Sequence, residues 1–166
     1  MILKMNYVEM IAKRMGYYKT LGEHTFSQLE PADYFYKPNA ETNSIAIIMQ
    51  HLYGNMMSRF TNLLTEDGEK SWRNRDVEFE DQDVSVSDLM DFWNTGWSTV
   101  FAAMAALNPT DFDKTITIRG EAFTVFDALL RQLAHYPYHI GQIVFVGKMI
   151  KDDKWKNLSM PKPKKN

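Results

Sequence analysis

The segment TVFDALLRQLAHYPYHIGQIVFVGKMI, from Thr124 to Ile150, indicates the architecture most directly. Apolar residues recur in it at steps of three and four, which predicts one long amphipathic helix. Its apolar side is formed by Phe126, Leu129, Leu130, Leu133, Ile140 and Val144. On a helical wheel, His135 and His139 lie nearly opposite this side, on a stripe of small and polar residues.

Three earlier segments have the same periodicity, and each predicts another helix. They run from about Ile2 to Leu29, from Ser44 to Leu63 and from Ser85 to Leu107. The pair Asp67-Gly68 is expected to close the second of these helices. Four long amphipathic helices predict an all-α protein with a four-helix bundle fold.

The connections suggest how the helices are ordered. About twenty residues with little regular pattern, Thr65 to Val84, join helices two and three, and long links suit crossovers. A crossover there makes helices two and three parallel, which gives an up-down-down-up order. The link from Glu30 to Asn43 is also long, so the connections suggest this order without forcing it. Between helices three and four, alternating Thr and Ile before a glycine in Lys114 to Glu121 predict a small β-hairpin. A short excursion within a loop is equally compatible with that pattern.

Length and composition fit one folded domain. The chain has 166 residues, of which 45% are apolar and 24% charged, close to ordinary globular usage. We place the domain at residues 1–158 and expect residues 159–166, rich in lysine and proline, to form a flexible basic tail.

Charge and residue usage exclude several function classes. The net charge of −2 provides no basic footprint for nucleic acid, and no cysteine is present for a disulfide or a thiolate site. No stretch approaches the roughly 18 apolar residues of a membrane span, and the N-terminus lacks the apolar core of a signal peptide. We therefore expect a soluble, cytoplasmic protein that binds neither nucleic acid nor membrane.

A candidate metal site rests on three histidines. His135 and His139 are four residues apart, so both imidazoles lie on one helix face and can reach the same ion. His51 on helix two is the obvious third ligand. Three imidazoles with one open position suit Zn, Ni, Fe or Cu. If both histidine stripes face water instead, there is no site, and Pro137 between two of the ligands is either a tolerated kink or one that aims the rings.

Other polar residues share these stripes or lie beside them. Asn55 is on the His51 stripe, while Gln132 and Gln142 are on the stripe of helix four, so all three could orient the ligands or a substrate. Arg59, on the edge of an apolar face, is expected to snorkel or to pair with a carboxylate, and it is a further candidate. His24 fits a cation near a helix C-terminus better than a site residue.

Two features permit two interpretations each. The charged crossover could be a lid in which Arg73 or Arg75 binds an anionic substrate group. We favour a solvated crossover pinned by Trp72. Trp93 and Trp97 belong either to the core or to a dimer face.

The sequence resembles the DinB/YfiT-like superfamily of metal-binding four-helix bundles, especially a branch of unknown function. The residues that carry the resemblance are HLYGNMMSRF at 51–60, DGEK at 67–70, WRNRD at 72–76, RQLAHYPYHIGQI at 131–143, Trp155, and LSMP at 158–161. It covers about residues 40 to 161. The resemblance implies an up-down-down-up DinB-like bundle, a divalent metal on His51, His135 and His139, and a homodimer. We expect the metal to be zinc, nickel or iron.

Some members of that superfamily are S-transferases or isomerases that use a low-molecular-weight thiol. We therefore expect a metal-dependent enzyme that transfers a small thiol to an electrophilic substrate, with the nucleophile supplied from outside a chain that lacks cysteine. The alternatives are a metal-dependent hydrolase, a non-catalytic metal-binding or stress-related dimeric bundle, and a structural bundle with solvated histidines.

Overall fold

Four helices dominate the computed structural model, which describes residues 7–159. They are α1 (Tyr7–Phe26), α2 (Ile45–Phe60), α3 (Val86–Ala105) and α4 (Val125–Lys151). The predicted all-α four-helix bundle is confirmed. The predicted start of α1 near Ile2, and all of the predicted tail except Ser159, lie outside the described residues.

Side-chain caps explain where three of the helices begin. The hydroxyl oxygens of Ser44 and Ser85 accept hydrogen bonds from backbone N–H groups in the first turns of α2 and α3. Thr124 Oγ1 does the same for Asp127 N at the start of α4, at 3.1 Å. Each cap satisfies a donor that has no partner within the helix. Helix α4 then continues without a break through Pro137.

Contacts between side chains define the helix directions. Tyr7 and Phe126 are in ring contact near the beginnings of α1 and α4, and Gly147 lies against Thr25 near their ends, so these helices are parallel. Tyr53 stacks on Phe92 with ring centroids 4.7 Å apart. One turn further along α2 and two turns further along α3, Thr99 donates to Met57, so these helices are also parallel.

The remaining pairings are antiparallel. Along α1 and α3, Gly16 faces Phe101 while Gly22 faces Trp93. Along α2 and α4, His51 approaches His139 and the later Asn55 approaches the earlier Tyr136. The predicted up-down-down-up order is thereby confirmed.

The predicted β-hairpin is present, rather than an irregular loop. Strands β1 (Thr115–Ile118) and β2 (Glu121–Thr124) pair antiparallel. Arg119 and Gly120 form the two-residue turn with φ values of 58° and 75°, the conformation that tight hairpins favour. Both of their backbone N–H groups donate to the Asp67 carboxylate at 2.9 Å, which fastens the turn to the crossover.

A single apolar core fills the space between the helices. Trp93 and Trp97 belong to it, with 3% and 0% of their surface exposed, so the core interpretation of these two residues is correct. Met15, Ile45, Met49, Leu52, Met56, Leu89, Leu129 and Ile140 are also buried. None of the helices within residues 7–159 combines the length and the apolar character that crossing a membrane requires.

Three local predictions were wrong. Helix α2 ends at Phe60 rather than near Leu63, and Asn62 takes a left-handed conformation with φ of 51°. Asp67-Gly68 does not cap α2, because the Asp67 carboxylate is bound to the hairpin turn. Trp72 does not pin the crossover, since 59% of its surface is exposed. The crossover is instead held by its polar side chains.

Candidate metal centre

The three predicted histidines converge between α2 and α4. His51 Nε2 lies 3.3 Å from His135 Nε2, which in turn lies 3.0 Å from His139 Nε2. One ligand nitrogen from each ring can be chosen so that all three are within 4.8 Å of one another. His51 and His139 are buried and His135 is half-buried. The two polar stripes therefore face each other rather than water.

The outer nitrogens of two rings have acceptors that orient them. His51 Nδ1 lies 2.9 Å from Glu78 Oε2, and His139 Nδ1 lies 2.9 Å from Gln142 Oε1. In each pair the oxygen accepts, so the imidazole Nδ1–H donates. In a neutral imidazole the proton on Nδ1 leaves the Nε2 lone pair free. Both of these lone pairs are consequently directed at the shared point between the rings.

This donor set fits a divalent metal ion. Burial, reinforced by the neighbouring histidines, lowers the pKa of His135 to about 3. Burial also lowers the pKa of His139 to about 4, despite the hydrogen bond with Gln142, so both rings are in the neutral, ligating form. Ligands at about 2.0–2.1 Å from a tetrahedral zinc are separated by about 3.3 Å, close to the observed Nε2 spacings. Without a cation, a proton on His135 Nε2 could be donated to only one of the two neighbouring Nε2 atoms.

Glu78 contacts the histidine cluster although no sequence pattern predicted it there. It lies in a short 3-10 turn of the crossover, Val77–Phe79, and only 10% of its side chain is exposed. Arg73 donates to both carboxylate oxygens, at 2.7 and 2.8 Å. Although burial acts in the opposite direction, hydrogen bonds from Arg73 and His51 lower the pKa of Glu78, so it is a carboxylate at neutral pH. Such carboxylates behind metal-binding histidines fix the ring orientation and increase ligand basicity.

A glycine on α2 makes room for this carboxylate. A Cβ atom added at Gly54 would lie 2.6 Å from Glu78 Cδ and closer still to Oε1. Gly54 is three residues after His51, on a neighbouring part of the same helix face. Glycine in a helix interior costs about 1 kcal/mol relative to alanine. A glycine inside a predicted helix was therefore the sequence signal that another group, here the Glu78 side chain, lies against α2.

A second carboxylate, Glu69, joins three separate segments. Its oxygens accept from Arg59 of α2 at 3.0 Å and from Arg119 of the hairpin turn at 2.9 Å. Arg73 of the crossover approaches the same carboxylate at 3.4 Å. Since only 2% of the Arg73 side chain is exposed, the pairing is shielded from solvent. Glu69 therefore holds the crossover and the hairpin beside the histidines.

The other predicted site residues occupy different positions around the cluster. Asn55 Oδ1 accepts from the buried Tyr136 hydroxyl at 3.1 Å, while Gln142 contacts His139 as described. Gln132 is buried, and its Oε1 has no hydrogen-bond partner within residues 7–159. Arg59 is paired with Glu69, one of the two roles expected for it. His24 is exposed in the last turn of α1 and is not part of the cluster.

A cavity of about 350 Å³ opens onto the three histidines. Besides the histidines, its walls contain Asn55, Gln132, Phe79, Tyr138 and the arginines 59, 73, 75, 119 and 131. This volume is within the range of small-molecule sites. A ligand in the cavity could therefore contact the histidines directly.

Comparison with known proteins identifies a family but no individual relative. No curated protein and no solved structure gives a significant match to this chain. One family model matches residues 3–164, almost the whole sequence, and it is described as "Protein of unknown function (DUF1572)". The chain therefore belongs to the DUF1572 family.

Proposed function

We propose that His51, His135 and His139 hold a divalent metal ion and that the protein is a metal-dependent enzyme acting with a small thiol. The observation that carries this proposal is the convergence of three imidazole Nε2 atoms. His135 Nε2 lies 3.3 Å from His51 Nε2 and 3.0 Å from His139 Nε2. Acceptors on the far side of two rings, Glu78 and Gln142, direct lone pairs to the shared point.

An incomplete ligand set supports catalysis over a purely structural metal. Within residues 7–159, the cluster contains three ligating side chains and no fourth His, Asp or Glu. Catalytic zinc sites typically keep three protein ligands and an open position, whereas structural sites are closed by four. The adjoining cavity would allow a substrate to reach that position.

A bound divalent ion acts as a Lewis acid that lowers the pKa of a thiol or of water and so supplies an anionic nucleophile at neutral pH. The chain supplies no cysteine of its own, and in the described part of the chain no carboxylate lines the cavity to act as a general base. The arginines in the walls would favour the anionic form of a bound nucleophile. These features favour an external thiol, with transfer to an electrophile as the reaction class.

The resemblance to the DinB/YfiT-like superfamily supports the same conclusion. It implies an up-down-down-up bundle and metal ligands at the positions of His51, His135 and His139. We propose membership of that superfamily, with zinc, nickel or iron as the metal. The homodimer that the resemblance implies stays a prediction, which light scattering in solution would test.

Metal content of protein purified without an affinity tag tests the metal site. We expect about one equivalent of a divalent metal in the wild type, and its loss in His51→Ala and in His139→Ala. His24→Ala is the matched control, because His24 is exposed and outside the cluster. No metal in the wild type after incubation with Zn²⁺ or Ni²⁺ and dialysis would contradict the proposal.

Turnover then separates the reaction classes. The transferase predicts metal-dependent consumption of an aryl halide or epoxide only when a small thiol is added. Hydrolysis of an activated ester without thiol, lost on metal removal, would favour the hydrolase alternative. Stoichiometric metal with neither activity would leave a non-catalytic metal-binding bundle.

A further inference from the structure

The cavity beside the histidines has a strongly cationic wall. Five arginines line it, Arg59, Arg73, Arg75, Arg119 and Arg131, and no aspartate or glutamate among residues 7–159 does. They come from α2, the crossover, the hairpin turn and α4. The overall charge of the chain is −2, so this concentration of positive charge is local.

Two carboxylates behind the wall compensate only part of this charge. Glu69 pairs with Arg59, Arg73 and Arg119. Glu78 pairs with Arg73 and with a histidine. Five guanidinium groups therefore face two carboxylates, which leaves a net positive charge at the cavity before any metal is bound.

The two remaining arginines are held by aromatic rings rather than by acids. The Arg75 guanidinium lies 5.2 Å from the centre of the Phe79 ring, and Phe79 packs on His51 with ring centres 4.6 Å apart. Arg131 lies 5.3 Å from the centre of the Phe123 ring. Neither arginine forms an ion pair with a carboxylate within residues 7–159.

Stacking engages the face of a guanidinium and leaves its in-plane N–H donors available. These donors form a planar fork that matches a carboxylate or a phosphate. Contact with an aromatic face also restricts the side chain before a ligand arrives, which reduces the entropy cost of binding. Arg75 from the crossover and Arg131 from α4 are therefore available as anion receptors in the same cavity wall.

A buried acceptor in the same cavity provides a second polar contact. Gln132 Oε1 is inaccessible to solvent and has no hydrogen-bond partner in the described part of the chain. An unsatisfied buried acceptor is energetically unfavourable. Gln132 is part of the cavity wall, so a ligand that presents a hydroxyl, amide or amine hydrogen would satisfy this acceptor once the side chain turns its oxygen towards the cavity.

We propose that the cavity binds a small molecule with a carboxylate or phosphate group, held by Arg75 and Arg131. This inference rests on the proposed function in one respect: the other end of the ligand is the thiol that faces the three histidines. The thiol substrate is then an anionic one, such as a carboxylated thiol, rather than a neutral one.

Calorimetric titration with succinate tests the anion site independently of the metal. We expect succinate to bind the wild type and the neutral isostere succinamide to bind at least tenfold more weakly. Arg75→Gln and Arg131→Gln should each weaken succinate binding about tenfold, since hydrogen bonds to charged groups contribute at least that much. Arg14→Gln is the control, because Arg14 is exposed on α1 and outside this cavity.

Two outcomes would overturn the anion site. One is no succinate binding to the wild type, and the other is unchanged affinity in the double variant Arg75→Gln/Arg131→Gln. Because both arginines are exposed, circular dichroism should show that the variants remain folded.

Mercaptosuccinate separates this inference from the proposed function. It should bind the metal-loaded wild type more tightly than succinate and lose that advantage in His139→Ala. If mercaptosuccinate binds the metal-loaded wild type no more tightly than succinate, and binding still depends on Arg75 and Arg131, the metal–thiol proposal is contradicted. The anion site alone is then supported.

Discussion

Glu78 illustrates how a single carboxylate can orient a candidate metal ligand from the far side of its ring. It accepts a hydrogen bond from His51 Nδ1 on one side and two hydrogen bonds, from Nε and Nη2 of Arg73, on the other. Arg73 therefore fixes the position of the carboxylate, and the carboxylate fixes the orientation of the imidazole ring. The lone pair on His51 Nε2 is thereby directed before any ion is bound.

Removing the charge of Glu78 should weaken metal binding. Glu78→Gln keeps an acceptor for His51 but loses the negative charge, and changes of this kind typically cost 10- to 100-fold in affinity. We expect a loss of about tenfold in a competition titration with a chelator. Glu80→Gln, an exposed neighbour in the same segment, should bind metal like the wild type. Equal affinities for the wild type and Glu78→Gln would show that the hydrogen bond to His51 is inconsequential.

Local spacing predicted some site residues and could not predict others. His135 and His139 are one helical turn apart, so their juxtaposition is a property of α4 alone. The position of Glu78 depends on the path of a crossover without periodicity, and no local pattern encodes that path. Gly54, a glycine inside α2, was an indication of that path in the sequence, because it marks where the Glu78 carboxylate contacts the helix.

Within α2, Gly54 leaves room for the Glu78 carboxylate and in return lowers the stability of the helix. Gly54→Ala should gain up to about 1 kcal/mol in helix propensity while its Cβ displaces Glu78. We therefore expect metal affinity to fall about tenfold while the free energy of unfolding changes little. Chelator competition and urea denaturation measure the two quantities separately.

Gly141→Ala provides the matched control for that experiment. Gly141 is inside α4, the helix that contains His135 and His139, and a Cβ there would meet no atom within 4 Å. This variant should gain the same helix propensity and keep its metal affinity. Equal metal affinities for the two alanine variants would contradict the role assigned to Gly54.

The hairpin is attached to the crossover through Asp67. Its carboxylate accepts from the backbone N–H groups of Glu69, Gly120 and Arg119, and these hydrogen bonds lower its pKa well below the usual 3.8. Asp67→Asn keeps one acceptor oxygen and loses the charge. We expect a loss of about 1 kcal/mol in the free energy of unfolding at pH 7, because the group is partly exposed.

The pH dependence of stability should identify this carboxylate. Because the folded-state pKa of Asp67 lies below the unfolded value, its contribution is fully present above about pH 4 and is lost as the pH falls further. The difference in unfolding free energy between the wild type and Asp67→Asn should therefore shrink below pH 4. A difference that stays constant down to pH 2 would contradict this assignment.

Helix periodicity locates helices better than it locates their ends. The apolar steps continue to Leu63, but α2 stops at Phe60, where the chain turns into the crossover. The Ser58 hydroxyl there donates to the Gly68 carbonyl at 2.7 Å and accepts from Lys70 N at 3.1 Å. A periodic pattern of apolar residues cannot predict these polar contacts between the end of α2 and the crossover.

At the scale of the whole molecule, close packing between helices depends on small residues. A Cβ at Gly22 would lie 2.6 Å from the Trp93 ring and 3.5 Å from Ile140. Gly22→Ala should therefore overpack the junction of α1, α3 and α4 and destabilise the fold by about 1–3 kcal/mol in urea denaturation. Gly16→Ala in the same helix, with its nearest neighbour 4.0 Å away, should be neutral or stabilising. The opposite order of stabilities would mean that the core can absorb a methyl group at Gly22.

One long connection suggested the helix order but did not force it, because the link between α1 and α2 is long as well. Thr65 to Val84 is too long for a tight turn, and a crossover of this length carries the chain back along the bundle so that α2 and α3 are parallel. The packing of α1 against α4 was not predictable, because each of these helices packs mainly against a helix that is not its neighbour in the sequence. Gly22 and Gly147 lie where helices approach each other closely, and only the folded structure shows this.

The parallel pairing of α1 with α4 has a kinetic consequence. The apolar face of α1 finds its main partner only after almost all of the described chain has been synthesised. On the ribosome, α2 and α3 can pair first, while that face of α1 remains uncovered. Contacts between distant segments also slow folding relative to bundles built from helical hairpins. During synthesis, the first helix to emerge is therefore the one whose burial must wait longest.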